Sequence, residues 1–278
     1  MVGRWMGSVL ALALASLVLL QTRADEGVEE DLDFEQDALS PNQMRAMHAK
    51  LDGNGDGKVS LEETMAFAEK MRVRIAKSDM QTILAEMDLD KDGRLNLDEL
   101  FKDMDQWSEV DEKDQKEAIE RKELEAAKFK AADANQDGFL DDNEMHFLFY
   151  PETHPKVLEL TTAASLKMKD LDHDGQLTVE EFWEADSFEG EDIAISDEEK
   201  ADFKKLDTDG NGKISLDELK AWESGSFHTE EAMRGLFEVA DQDRDMHITA
   251  SELDAARERI AATDAQYHLM EWAEHHEL

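Results

Sequence analysis

The sequence predicts an all-α fold built from six helix–loop–helix units, and three features support this prediction. One acidic pattern of twelve residues, Asp-x-Asp/Asn-x-Asp/Asn-Gly-x-hydrophobic-x-x-x-Glu, recurs six times in the 278-residue chain, with one substitution in the last copy. Regular apolar positions typical of helices surround every copy. Helix-starting sequences precede several of these segments. Six copies at helix–loop–helix spacing are not expected by chance, even in an acidic protein.

The first 24 residues differ in composition from the rest of the chain. They carry Arg4 but no acidic residue, and an apolar run occupies residues 9–20. A run of this length is too short for a comfortable membrane span. We therefore expect residues 1–24 to be a secretory signal peptide, with an uncleaved membrane anchor as the alternative. Residues 25–39 are acidic and are expected to form a mobile segment.

Capping sequences mark the predicted helix starts. Ser40 is followed by a proline and then by Gln43, an arrangement that satisfies the free N–H groups of a first helical turn. The charged segment 111–130 predicts an extended helix that leads into the third loop. The capping arrangement recurs at residues 78–81 and 196–199, and a further helix start is predicted at residues 263–266.

The loops are expected to associate in three pairs. The residue at loop position eight is always apolar, and such residues pair as short antiparallel strands. We expect neighbours in sequence to pair: the first loop with the second, the third with the fourth and the fifth with the sixth. These pairs would occupy residues 40–110, 111–187 and 196–262, followed by a C-terminal helix and tail over residues 263–278. The position-eight residues are Val59, Leu95, Leu140, Leu177, Ile214 and Ile248.

The repeated loop has the composition of a calcium site. Ca²⁺ is a hard cation that prefers six to eight oxygens, and such a loop supplies them from positions one, three, five, seven, nine and twelve. Position seven binds through its backbone carbonyl, so a basic residue is tolerated there. The predicted ligands are Asp52, Asn54, Asp56, Lys58 and Glu63; Asp88, Asp90, Asp92, Arg94 and Glu99; Asp133, Asn135, Asp137, Phe139 and Glu144; Asp170, Asp172, Asp174, Gln176 and Glu181; Asp207, Asp209, Asn211, Lys213 and Glu218; and Asp241, Asp243, Asp245, His247 and Glu252.

The sixth loop departs from the pattern at one position. Position six is glycine in the first five loops, where the turn requires a positive φ, but it is Met246 in the sixth. A non-glycine residue in that conformation costs roughly 1–2 kcal/mol, so we expect a weakened but functional site. Position twelve is Glu throughout, which allows binding through two oxygens and favours Ca²⁺ over Mg²⁺. The sequence therefore predicts five to six Ca²⁺ ions per chain.

The composition argues against several classes of function. The chain has 69 acidic and 30 basic residues, a net charge of −39, and such a surface repels nucleic acid and anionic lipid. It has no cysteine, so no disulfide stabilises the fold, and its histidines lack the spacing of a zinc site. The sequence contains neither a glycine-rich phosphate loop nor a nucleophile elbow. We expect a monomer that is not an enzyme and has no stable insertion in a membrane.

Together these features resemble the CREC family of EF-hand proteins, which comprises reticulocalbin, calumenin and their relatives. Residues 144–152, Glu-Met-His-Phe-Leu-Phe-Tyr-Pro-Glu, are similar to the FLHPE segment of that family. Residues 275–278, His-His-Glu-Leu, resemble the KDEL/HDEL retention address, although His276 replaces an acidic residue. The resemblance covers nearly all of the chain after residue 24. It implies low-affinity Ca²⁺ binding in the secretory pathway, Ca²⁺-dependent contact with lumenal proteins and no catalytic activity.

Two functions are consistent with these inferences. The leading hypothesis is low-affinity Ca²⁺ buffering in the lumen of the endoplasmic reticulum and secretory pathway, with partial secretion. A Ca²⁺-dependent conformational change is expected because the acidic chain compacts when metal screens its carboxylates. The alternative is a Ca²⁺-dependent regulator or chaperone-like adaptor of lumenal client proteins, which exposes an apolar groove when loaded. The KDEL/HDEL retrieval receptor is a further expected partner.

Overall fold

The computed structural model of this chain describes residues 39–106, 115–184 and 195–275. Within these ranges the chain is mostly helical, with thirteen α-helices and four very short strands, which confirms the all-α class. The predicted signal peptide, nearly all of the acidic segment after it and residues 276–278 of the tail lie outside the described part. None of the helices in the described part is long and apolar enough to cross a membrane.

The helices and strands alternate as expected for repeated helix–loop–helix units. The helices are α1 Pro41–Leu51, α2 Leu61–Met87, α3 Leu97–Gln106, α4 Gln115–Ala132, α5 Met145–Phe149, α6 Pro155–Lys169, α7 Val179–Glu184, α8 Asp197–Leu206, α9 Leu216–Glu223, α10 Ser226–Ala240, α11 Ala250–Ala255, α12 Arg257–Ile260 and α13 Ala265–His275. A 3₁₀ turn, Pro151–Thr153, lies between α5 and α6. The strands are β1 Lys58–Ser60, β2 Leu95–Asn96, β3 Phe139–Leu140 and β4 His247–Thr249.

Predicted capping boxes begin two of these helices. At α1 the Ser40 hydroxyl accepts a hydrogen bond from the Gln43 backbone N–H, and the Gln43 side chain accepts one from the Ser40 N–H. Ser196 and Glu199 form the same reciprocal pair at α8. Because these hydrogen bonds satisfy N–H groups that have no partner within the helix, they stabilise the first turn where the sequence predicts it.

The described residues form two compact units. One comprises the described residues from 76 to 150, and the other comprises the described residues from 39 to 75 together with those from 151 to 275. The first unit holds the second and third loops, whose strands β2 and β3 pair antiparallel with Leu95 opposite Leu140. Both of these leucines are fully buried, so the strand pair closes over the apolar core of this unit.

The other unit holds two loop pairs. Strands β1 and β4 pair antiparallel with Val59 opposite Ile248, which joins the first loop to the sixth. Leu177 and Ile214 exchange two backbone hydrogen bonds, of 2.9 and 2.8 Å, which join the fourth loop to the fifth. All four of these side chains are buried.

The predicted strand partners are therefore wrong, although pairing through position eight is confirmed. We expected the first loop to pair with the second, the third with the fourth and the fifth with the sixth. Helix α2 is uninterrupted over 27 residues, so it is about 40 Å long. The predicted helix start at residues 78–81 lies inside it. Because the chain does not turn between the first two loops, each pairs with a loop farther along the sequence.

The pair formed by the first and sixth loops is built from both ends of the described chain. Met44 and Met47 of α1 belong to the same buried cluster as Leu269 and Trp272 of α13. The rings of Phe67 and Trp272 pack edge to face with centroids 5.4 Å apart. Burial of apolar area is the main stabilising term in such a core, so this pair requires segments separated by about 200 residues of sequence.

Aromatic rings form the core beside the fourth and fifth loops. Phe182 packs edge to face against Trp183 and Trp222, with centroids 4.8 and 5.0 Å apart, and against Phe203 at 5.9 Å. Trp183 and Trp222 also pack edge to face at 5.3 Å. Rings in this arrangement are attracted beyond the effect of area burial alone. The cluster therefore gives the fourth and fifth loops a rigid support.

Candidate metal centres

Each loop begins where its entering helix ends. In the first loop the backbone N–H of Asp52 donates to the His48 carbonyl at 2.9 Å, which is the last hydrogen bond of α1. The Asp52 carboxylate then accepts hydrogen bonds from the backbone N–H groups of Gly55, Asp56 and Gly57, at 2.7, 3.1 and 2.9 Å. Aspartate readily forms such local turns with its own backbone. One residue thus ends the helix and shapes the loop.

The hydrogen bond from position six to position one is present in all six loops. The N–H at position six donates to Oδ2 of the position-one aspartate at distances of 2.8–3.0 Å, and the sixth loop has it although its donor is Met246. The position-six amide therefore lies against the position-one carboxylate in every loop and would sense a cation bound there. The other donors are Gly57, Gly93, Gly138, Gly175 and Gly212.

The glutamate at position twelve closes each loop. One of its oxygens accepts a hydrogen bond from a backbone N–H at position two or three, and the other accepts one from position nine. In Glu218 these distances are 2.8 Å from Thr208 and 2.9 Å from Ser215. Five of the six loops also have a position-nine side chain that caps the exiting helix by accepting from the glutamate N–H. The glutamate is thus held between the two ends of its loop.

The carboxylates predicted as ligands lie close together in four loops. The second, fourth, fifth and sixth loops each hold the acids of positions one, three and twelve with their nearest oxygens within 4.8 Å of one another. In the first and third loops position three is Asn54 or Asn135, so these loops bring together one carboxylate fewer at the same positions. At this separation negative charges repel strongly unless a cation lies among them.

Positions five and seven are linked by the backbone in every loop. The N–H at position seven donates to the side-chain Oδ1 of position five at 2.7–2.9 Å. Position seven stands directly before the paired position-eight residue, where the chain becomes extended. This explains why residues as different as Lys58, Phe139 and His247 are accommodated there, since the loop geometry uses their backbone.

The loops require two residues with positive φ. Met246 has a φ of 66°, which confirms the conformation expected at position six of the sixth loop. Position four also has positive φ in every loop, and this was not predicted. It is glycine only in the first and fifth loops, at Gly55 and Gly210. These two glycines were the features of the sequence that could have predicted a positive φ at position four. The remaining position-four residues are Lys91, Gln136, His173 and Arg244, with φ of 59–63°.

The strain at Met246 lies in the backbone and not in packing. Its side chain is 78% exposed. A Cβ atom built on any of the five position-six glycines meets no atom within 4 Å. The left-handed conformation alone therefore makes the sixth loop less favourable than the others.

Hydrogen bonds keep the position-twelve glutamates of the first, fourth, fifth and sixth loops ionised. In the first, fourth and sixth loops the N–H at position nine lowers the pKa of the glutamate. Burial would raise the pKa of Glu218, but hydrogen bonds from Ser215 and Thr208 outweigh it and lower the pKa to about 2. At neutral pH these carboxylates are therefore charged and can bind a cation.

The donor set fits Ca²⁺. Every predicted ligand atom is a carboxylate, amide or backbone oxygen, and a hard cation such as Ca²⁺ prefers oxygen. His173 and His247 lie within loops, but His173 is at position four and His247 is predicted to use only its carbonyl. Backbone N–H groups of each loop already bind the carboxylates of positions one and twelve, so these two ligands are oriented by the loop itself.

Comparison with known proteins agrees with this geometry. A family model described as an EF-hand domain pair matches residues 41–105 and 163–224, and a model of a single EF hand matches residues 119–149. The first match covers the first two loops as neighbours in sequence, whereas their strands pair with other loops.

Several curated relatives are similar over most of the chain. Reticulocalbin-3 of Rattus norvegicus is 23% identical over 269 residues, which cover 89% of this chain and 80% of the relative. Reticulocalbin-3 of Homo sapiens is 24% identical over 241 residues, covering 79% of this chain and 72% of the relative. Calmodulin-like protein 2 of Arabidopsis thaliana is 28% identical over 148 residues, covering 52% of this chain and 90% of the relative.

Proposed function

Because this chain is a calcium-binding EF-hand protein of the reticulocalbin-like type, we propose that it buffers Ca²⁺ with low affinity in the lumen of the endoplasmic reticulum and secretory pathway. Five or six of its loops bind the ion, and binding changes the conformation of the chain. The protein acts by binding and has no catalytic role.

The observation that carries this proposal is the repetition of one preorganised loop. All six loops have the same hydrogen bond from position six to position one and the same anchored glutamate at position twelve. The ligands would be the thirty residues predicted from the sequence. The bound ion would supply positive charge among carboxylates that otherwise repel one another. Many weak sites on one chain favour buffering over sensing of a small change in concentration.

Charge couples metal binding to conformation. The chain carries a net charge of −39, and self-repulsion of this size opposes a compact state. Ions that bind the folded chain better than the unfolded chain stabilise it by mass action. A loaded chain is therefore expected to be more compact and more helical than the same chain in chelator.

Calorimetric titration of the chain without residues 1–24 should give five to six Ca²⁺ ions, most with Kd on the order of 10⁻⁴–10⁻³ M. Glu99→Gln should reduce the count by one, because it removes a ligand charge from the second loop. The control is Glu230→Gln, which changes an exposed glutamate paired with Arg234 on α10 and should leave the count unchanged. Three or fewer ions at millimolar Ca²⁺ would contradict the proposal.

The alternative is a Ca²⁺-dependent adaptor that binds client proteins. The aromatic cluster beside the fourth and fifth loops supports it, because Phe182, Trp183 and Trp222 form an apolar surface that an opening of the helices would expose. An apolar dye distinguishes the two functions. Dye binding that rises with Ca²⁺ favours the adaptor, whereas dye binding that falls with Ca²⁺ favours a buffer that compacts.

The proposed location can be tested with the tail. Deletion of residues 275–278 should send the protein into the medium, because the retrieval receptor would lose its address. His276→Asp, which gives the tail an acidic residue at the usual place, should increase retention. Equal retention of the intact, shortened and substituted chains would show that the tail is not the address. Secretion is measured by comparing the protein in cells and medium.

A further inference from the structure

Two lysines extend from one loop to a predicted ligand of the loop paired with it. Lys58 is at position seven of the first loop, and its Nζ contacts Oδ2 of Asp245 at position five of the sixth loop. Lys213 is at position seven of the fifth loop, and its Nζ contacts Oδ2 of Asp174 at position five of the fourth. The same two loop positions are therefore joined in both pairs of this unit.

The pair in the other unit has a weaker form of the same contact. Arg94 is at position seven of the second loop, and one of its nitrogens lies 3.8 Å from Oδ2 of Asp137 at position five of the third. A second nitrogen of Arg94 lies 3.1 Å from Asp92 in its own loop, and its guanidinium lies 3.9 Å from the centre of the Phe139 ring. Arg94 is thus divided between the two loops, while the two lysines contact the partner loop.

Each loop pair has one basic donor of this contact. The position-seven residues of the receiving loops are His247, Phe139 and Gln176, and in the described structure none of them bridges to an acid of the paired loop. The antiparallel register places position seven of each loop opposite position nine of its partner, with Lys58 opposite Thr249 and His247 opposite Ser60. The register is therefore symmetric, and the direction of the contact follows from which loop has the basic residue at position seven. Each pair is therefore asymmetric in charge although its two loops have the same shape.

We propose that Lys58 and Lys213 lower the Ca²⁺ affinity of the sixth and fourth loops, in each case the affinity of the partner loop more than that of their own. The inference rests on the proposed Ca²⁺ binding. Without metal, the ammonium group balances carboxylates of the receiving loop and stabilises the folded pair. With metal, the same positive charge repels the ion held by those carboxylates. Both effects arise from the same positive charge. The lysine therefore lowers the Ca²⁺ affinity of the receiving loop and also stabilises the metal-free loop pair.

The electrostatic surroundings agree with this assignment. The hydrogen bond that Lys58 donates to Asp245 raises the pKa of Lys58, and the charge of Asp243 in the same loop raises it further. The hydrogen bond that Lys213 donates to Asp174 raises the pKa of Lys213, and the charges of Asp172 and Glu181 raise it further. Each lysine therefore interacts with several predicted ligands of the receiving loop. An isolated exposed ion pair contributes little to stability, but here each lysine faces a cluster of several carboxylates.

The proposal is tested in the full chain by Ca²⁺ titration followed by NMR. Selective ¹⁵N labelling of methionine and glycine reports the four loops of this unit through their position-six amides: Met246 for the sixth loop, Gly57 for the first, Gly175 for the fourth and Gly212 for the fifth. Lys58→Gln removes the charge and keeps the backbone carbonyl. It should lower the Kd of the sixth loop for Ca²⁺ roughly three- to tenfold. This is the size of effect expected from screened repulsion between a divalent and a monovalent ion that share a carboxylate. The first loop should change less.

Matched variants distinguish the effect of the Lys58–Asp245 contact from a general effect of charge. Arg45→Gln removes one positive charge from the same unit. Arg45 donates to Asp254 of α11 at 2.9 Å and not to a predicted ligand, so this variant should leave the Ca²⁺ affinity of the sixth loop unchanged. Lys58→Arg keeps the charge and should keep the low affinity. In chelator, Lys58→Gln should melt at a lower temperature than the Arg45→Gln chain.

The fourth and fifth loops repeat the test independently. Lys213→Gln should tighten the fourth loop more than the fifth. The proposal is overturned if both lysine variants leave the receiving loops unchanged, or if they tighten the loop that carries the substitution at least as much. If the unsubstituted loops do not respond to Ca²⁺ at all, it is the proposed function that fails, which is a different result.

Discussion

A chain that begins at residue 76 is expected to lose the folded structure around its sixth loop, even in saturating Ca²⁺. Residues 39–71 supply α1, β1 and part of α2 to the core that surrounds β4 and α13. Without them Ile248 has no strand partner and Trp272 loses its contact with Phe67. The amide signal of Met246 should then fall among those of unfolded residues, and addition of a separate fragment 39–75 should restore it.

A single substitution tests the same core with less disruption. Met47→Ala removes a fully buried side chain of α1, and such changes cost about 2–5 kcal/mol of unfolding free energy. Met168→Ala makes the same chemical change at a side chain that is 76% exposed and should cost less than about 0.5 kcal/mol. Denaturant unfolding in excess Ca²⁺ measures both. Equal costs, or a chain from residue 76 with native signals around Met246, would show that the two ends of the chain do not share a core.

Met246→Gly is expected to raise the Ca²⁺ affinity of the sixth loop by about five- to thirtyfold. The substitution relieves a left-handed backbone that costs roughly 1–2 kcal/mol, and this energy converts to affinity at about 1.4 kcal/mol per factor of ten. It removes no packing, because the Met246 side chain is exposed. Part of the gain should reach the first loop through the Val59–Ile248 strand pair. The Ca²⁺ affinity of the fifth loop should change little, because Ile214 of that loop pairs with Leu177 and not with Ile248.

The reverse substitution in the paired loop is the matched control. Gly57→Ala places a side chain at position six of the first loop, where φ is 87° and a Cβ would meet no atom within 4 Å. It should weaken the first loop because the backbone conformation is strained, not because of a clash. Site-resolved titration of the full chain compares the amides of residues 57, 212 and 246. A sixth loop that is no tighter after Met246→Gly would show that the positive φ imposes no cost there.

The two loop positions that need positive φ illustrate the reach of the sequence pattern. Position six was predicted because glycine occupies it in five loops, so Met246 stood out as an exception. Position four was missed because only Gly55 and Gly210 mark it, while Lys91 and Arg244 adopt the same conformation. A hydrogen bond to the position-one aspartate holds position six in every loop, and it holds position four in the first and second loops. The residue type at position four therefore did not indicate its positive φ in the four loops that lack glycine there.

Helix α2 shows how tertiary structure overrides a local signal. The capping sequence at residues 78–81 is a good helix start in isolation. In the folded chain Met71, Ala76 and Met80 are all buried along one continuous helix, and their burial is worth more than a single cap. The break predicted from the cap therefore does not occur, and the predicted pairing of the first two loops fails with it.

The sequence by itself determined the all-α class, the six loops and the likeness of each loop to a calcium site. These properties depend on hydrogen bonds and donor atoms within twelve consecutive residues, so the local pattern carries them. Only the tertiary structure decided which loops pair, and with that which loop receives Lys58 or Lys213. Every position-eight residue is apolar and can pair with any other, so the choice depends on helix continuity and on a core shared by distant segments.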